Sequence, residues 1–233
     1  MPFDFYYQLT QRQQRDYRKS DKIENLPLPE DARLRIWDRV DALEAALGTG
    51  KLNHLQAATV EFSLAVTQAF DVGPARIQVK SRRPTNRSGD EYYGLTTWEE
   101  GKQPLIELWM LTRAHRRVVA FKTYMRTLIH ELLHHLDYSY LGLRDSFHTQ
   151  GFFKRESSLF RQLVIERTSR IVISNNISEP GSNQDKQRPA GKKREAAPAS
   201  CTQQMEPEAG LDPPRSSDRR GKRRTNEQLI LPF

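Results

Sequence analysis

Cysteine is almost missing. The chain has one, Cys201, in 233 residues, so it can form no internal disulfide and no cysteine-ligated zinc ribbon. Long apolar runs are missing too. No stretch approaches the roughly 20 residues that span a bilayer, so no membrane partner is expected. The opening Met-Pro-Phe-Asp-Phe-Tyr-Tyr has no basic region followed by an apolar run, so no signal peptide is expected and the reading is cytoplasmic. Hydrophobic residues make up only 36% of the chain, low for one that folds throughout, so part of it should have no core. Acid is in deficit as well, with 29 Asp and Glu against 37 Lys and Arg and a net charge of +8. That balance disfavours acidic-protein mimicry and suits polyanions such as nucleic acid, although a solvated basic surface reads the same way.

What is present centres on Thr127-Leu-Ile-His130-Glu131-Leu-Leu-His134-His135-Leu-Asp137. His130 and His134 stand four residues apart, about one helical turn, so both imidazoles can reach one metal ion. Glu131 sits beside them, where a carboxylate can act as general base on a water activated by that metal. Phe121, Met125, Leu128, Leu132 and Leu136 recur at spacings of three and four, which predicts a helix with an apolar stripe opposite the two histidines. Such a helix would bury its stripe and turn the histidines into a cleft.

A catalytic zinc usually takes three protein ligands and leaves a position open. His148, on a loop-to-helix junction after a return segment, is the choice for the third. Glu156 is the alternative ligand, and Asp137, on the same helical face as His134, could instead orient an imidazole. His135 points about 100° away from His134 and reads as a packing or surface residue. His54 and His115 are isolated and read as structural. Tyr138, Tyr140 and Arg144 are near in sequence, and nothing in the spacing makes any of them an oxyanion donor.

Three regions follow from composition. Residues 1–27 form a polar arm or short irregular helix. Residues 28–174 carry the periodic segments: a helix from Pro29 to about Leu47, ended by Gly48-Thr-Gly50, and a second from about Asn53 to Phe70 with Leu55, Val60, Leu64, Val66 and Phe70. Ala75–Lys80, Tyr92–Trp98 and Leu105–Leu111 then read as three short strands of a small antiparallel sheet. Either of the last two could hold a substrate extended by strand addition. A helix after His148 carries Phe152, Leu159, Phe160 and Leu163. Residues 175–233 are rich in Pro, Gly, Ser and basic residues and read as a disordered tail.

The run Gly94…Ile106-Glu-Leu108…Thr127-Leu-Ile-His130-Glu131-Leu-Leu-His134…His148…Phe152 resembles the SprT-like metalloprotease family, whose eukaryotic relative Spartan cleaves proteins crosslinked to DNA. The resemblance covers roughly residues 60–170. It implies an α+β fold with a compact zincin-like (minigluzincin-type) core over 28–174, Zn2+ held by His130, His134 and His148, and Glu131 as general base. It also implies protein substrates that are DNA-bound. Two features depart from the family. Thr149 stands where a glycine often follows the third histidine, and the four-cysteine ribbon of many bacterial members is absent.

DNA contact would then fall to the basic tail, where Arg219, Arg220, Lys222, Arg223 and Arg224 are either phosphate contacts or a solvated charge run. The final Gln228-Leu229-Ile230-Leu231-Pro232-Phe233 resembles the Gln-Leu-x-Leu-Pro-Leu type of bacterial sliding-clamp-binding peptide. That resemblance implies Gln228 at a pocket mouth, with Leu229, Leu231 and Phe233 filling apolar pockets ahead of and behind Pro232. A tether of about 55 residues would reach roughly 40 Å, enough to work near a clamp on the nucleoid.

Overall fold

Thr10 opens the first helix with a capping box: its hydroxyl accepts from the Gln13 N–H, and the Gln13 side chain accepts from the Thr10 N–H. In the computed structural model this helix, α1, spans Gln11–Lys22 and follows a short 3-10 turn at Asp4–Gln8. The structure describes residues 2–82, 84, 93–99, 101–113 and 115–168, and the backbone of 223–226. Helices α2 (Glu30–Gly48) and α3 (Leu52–Ala69) pair with each other, and α3 lies along strand β1 (Arg76–Lys80). Strands β2 (Gly94–Glu99) and β3 (Leu105–Trp109) follow, then α4 (Phe121–Ser139) and α5 (Gln150–Phe160). No described helix is long and apolar enough to cross a membrane.

The α+β class is as expected, but the sheet is not purely antiparallel. β2 and β3 form an antiparallel hairpin, whereas β1 pairs with β3 in parallel, giving the order β1-β3-β2. Alternation of apolar and polar residues marks a half-buried strand without stating which neighbour it takes. Here β1 adds to the far side of β3, so β2 is left as the outer strand of the three. A short segment, β4 (Arg223–Asn226), runs antiparallel along that outer edge, within the tail that composition assigns to disorder.

One other expectation is corrected. The N-terminal segment is not a solvated arm: α1 is a regular helix whose Tyr17 is 1% exposed and whose Ser20 is fully buried, and it packs on α5. Its polar composition hid this, because one aromatic and one small residue suffice to seat it. Helix α4 buries its apolar stripe as expected, and its other faces as well. Every residue from Thr127 to Asp137 is buried, because the sheet covers one side and α5 the other. Its leucines join one core with Leu43, Leu55, Phe62, Ile106 and Phe152. On α3, Val60 faces outward while Phe62, Thr59 and Ser63 turn inward. The two hydroxyls tolerate burial by back-bonding to the carbonyls of Leu55 and Thr59.

Candidate metal centre

Helix α4 presents His130 and His134 one turn apart, and the loop before α5 returns His148 to them. The three Nε2 atoms lie 3.1 Å (His130–His148), 3.3 Å (His134–His148) and 3.4 Å (His130–His134) apart. A tetrahedral ion bound at about 2.0–2.1 Å, the range of zinc–imidazole bonds, would separate its nitrogens by roughly 3.3–3.4 Å. The cluster therefore fits one divalent cation, and it is the set of three metal-ligating side chains that the described residues bring together. Residues eighteen apart in sequence meet here, as the choice of His148 required.

Each Nδ1 on α4 is held by its own partner, which fixes the ring and its tautomer. His130 Nδ1 donates to Glu156 Oε2 at 2.9 Å. Glu156 is thus not a ligand but an acceptor beside one, and Arg126 Nη1 reaches its other oxygen at 3.4 Å. For His134 the partner is Ser146 Oγ at 2.7 Å, whose own proton goes to Asp137 Oδ2 at 2.7 Å. A carboxylate can only accept, so Ser146 must donate to Asp137 and accept from His134. Asp137 accordingly orients the imidazole at one remove. With both Nδ1 atoms protonated, both Nε2 lone pairs point at the shared centre, the arrangement a cation needs.

Phe152, the third residue of α5, lies under all three imidazoles, with ring centroids 4.8–5.1 Å away. Thr149 directly follows His148. Its hydroxyl accepts from the Phe152 N–H and caps α5, so the helix begins directly after the third histidine.

Glu131 is fully buried between α4 and β2. Thr96 Oγ1 donates to its Oε2 at 2.7 Å, while its buried Oε1 has no hydrogen-bond partner among the described residues. A buried acceptor without a partner is costly, and a carboxylate oxygen that no donor occupies is what a base that must take a proton requires. Burial pushes the Glu131 carboxyl up from the ordinary range; His130 and the Thr96 hydroxyl pull it back, and Glu156 adds to the rise. Gly94 makes the fit possible: a Cβ there would stand 2.5 Å from Glu131 Oε1 and 2.7 Å from its Cγ. Gly94→Ala should therefore displace the Glu131 carboxylate by about 1 Å, with metal content unchanged. Metal analysis and a crystal structure of the purified variant check this; an unmoved carboxylate would show that Glu131 needs no such seat.

The remaining residues singled out in the sequence fall elsewhere. His135 donates from Nε2 to the Gly73 carbonyl at 2.7 Å and accepts at Nδ1 from Ser139, and burial lowers its pKa, so it packs as a neutral ring. His54 and His115 are exposed. Tyr138 stacks on Trp98 at 5.3 Å, Tyr140 lies against Phe70 at 5.1 Å, and the Arg144 N–H reaches Asp16, so the geometry assigns none of them an oxyanion role. Arg219, Arg220 and Lys222, and the clamp-like Gln228, Leu229, Leu231, Pro232 and Phe233, lie outside the described residues, as do the side chains of Arg223 and Arg224. Sequence reading missed Ser146, Arg155 and the floor role of Phe152; an Asp three residues after His134 was the one available signal. Comparison with protein-family models, with curated proteins and with solved structures finds no match for this chain.

Proposed function

We propose that the protein is a zinc-dependent endopeptidase of SprT-like type that cleaves proteins on DNA, including proteins crosslinked to it. The reading rests on three converging Nε2 atoms, with the buried carboxylate of Glu131 next to His130 on the same helix and one of its oxygens without a hydrogen-bond partner among the described residues. Three protein ligands are the mark of a catalytic zinc, whereas structural zinc usually has four. Zinc bound by His130, His134 and His148 would lower the pKa of a water and polarise a scissile carbonyl. Glu131 would take the water's proton and pass it to the leaving amine, while Thr96 holds Oε2 still.

Strand β2 supports the choice of a polypeptide substrate. It carries Gly94 and Thr96 against Glu131, and its outer edge already pairs antiparallel with Arg223–Asn226. An extended peptide at that edge would take the place of β4, with main-chain hydrogen bonds supplying the grip. The DNA setting rests on the net charge of +8, the basic run at 219–224 and the clamp-like peptide at 228–233.

One experiment tests the whole reading. A protein crosslinked to DNA and the same protein free are offered to the chain, with and without zinc, and to a chain lacking residues 228–233 in the presence of a bacterial sliding clamp. Zinc-dependent cleavage favouring the crosslinked form, and faster with the clamp only when the peptide is present, is the expected pattern. Cleavage indifferent to DNA and to the deletion would instead point to a protease for one regulatory protein. No cleavage, with zinc bound, would leave an adaptor that uses the ion as a staple.

A further inference from the structure

We propose that the last turn of α1 is a positioning element for the metal centre, holding two of its three ligands by separate routes. The inference rests on the metal reading above and concerns what keeps the site in shape. The first route passes through Arg155, which is fully buried. Its Nη1 donates to the carbonyls of Ser20 and Ile23, both at 2.6 Å, and its Nη2 to Ser20 Oγ at 3.0 Å. The same Nη2 reaches Asp137 at 2.9 and 3.2 Å. Asp137 accepts from Ser146, and Ser146 from His134. A continuous buried chain thus runs from the α1 carboxyl end to one imidazole.

The second route reaches His148. Ser20 Oγ lies 3.3 Å from Thr149 Oγ1, and Asp21 Oδ1 accepts from the Gly151 N–H at 3.0 Å. Gly151 is pressed against this turn: a Cβ there would stand 2.5 Å from the carbonyl oxygens of both Ser20 and Asp21. Thr149 follows His148 directly, so the seat of α5 on α1 sets where the third ligand emerges. His130 is held differently, by Glu156. A rigid ring position lowers the ordering cost of binding an ion, which is why outer partners of ligands govern affinity.

The test is carried out on the full chain. Zinc affinity is measured by competition with a chromophoric chelator, ligand geometry by the visible absorption of the cobalt(II)-loaded protein, and folding by the melting temperature of the metal-free protein. Gly151→Ala and Ser146→Ala should each weaken zinc binding about 10- to 100-fold and shift the cobalt band, and Ser146→Thr should restore both. Ile36→Val or Leu43→Ala on α2, whichever loses a similar melting temperature, should leave affinity and spectrum as in the parent. Parent-like affinity and cobalt spectra in the first two variants, or losses equal to those of the α2 control, overturn the proposal while the metal reading stands. A parent that binds neither ion overturns both.

Discussion

Glu131→Gln is expected to bind zinc like the parent and to hydrolyse peptide about 10²- to 10⁴-fold more slowly, the usual worth of a positioned general base. The substitution suits the site. Glu131 is wedged against Gly94, where even a methyl would stand 2.5 Å from Oε1, so only an isosteric replacement keeps the packing. Thr96 can donate to the amide oxygen as it does to Oε2, and the ligand rings keep their contacts with Glu156, Ser146 and Phe152. What changes is Oε1: an amide nitrogen in its place cannot accept a proton at neutral pH. Metal stoichiometry, melting temperature and the cleavage rate of one peptide substrate, taken together, decide it. A variant that keeps the parent's rate removes Glu131 from the chemistry.

The largest effect on stability is expected from Arg155→Met, with a loss of about 3–5 kcal/mol in the metal-free protein. Total stability of a domain is about 5–15 kcal/mol, so such a loss should bring the unfolding midpoint near working temperature. Methionine roughly fills the space, so the cost is mostly electrostatic. Asp137, fully buried, would lose its counter-charge, and the carbonyls of Ser20 and Ile23 their donor. Burial pushes the Asp137 carboxyl up, and Arg155, Ser146 and His130 pull it back; without the guanidinium the first of these is lost. Arg155→Met combined with Asp137→Leu should recover part of the loss, since removing both charges leaves no unpaired ion. Urea unfolding of the parent, the single and the double variant measures this. A single variant as stable as the parent would mean that the buried ion pair contributes nothing net.

Spacing alone identified His130, Glu131 and His134, because one helical turn places two imidazoles on one ion and helix periodicity is written locally. The elements α2, α3, β1, β2, β3 and α5 were also legible, each from its own run of apolar residues. Loop length made His148 a candidate, but only folding showed its Nε2 within 3.4 Å of the other two. It also showed Glu156 and Ser146, far along the chain, standing behind separate ligands.

Composition misjudged α1, since a polar helix can be anchored by Tyr17 and Ser20 and by an arginine from a partner more than 130 residues away. Strand direction was equally hidden, because alternation is the same for a strand paired in parallel or antiparallel. The sequence by itself determined that His130 and His134 could share one metal and that α2, α3, α4 and α5 are helical, both set by neighbours a few positions apart. The tertiary structure decided the mixed order of the sheet, the burial of α4 on both sides and the chain of hydrogen bonds behind His134. Those depend on contacts between distant segments, whose energies exist only once the core has brought them together.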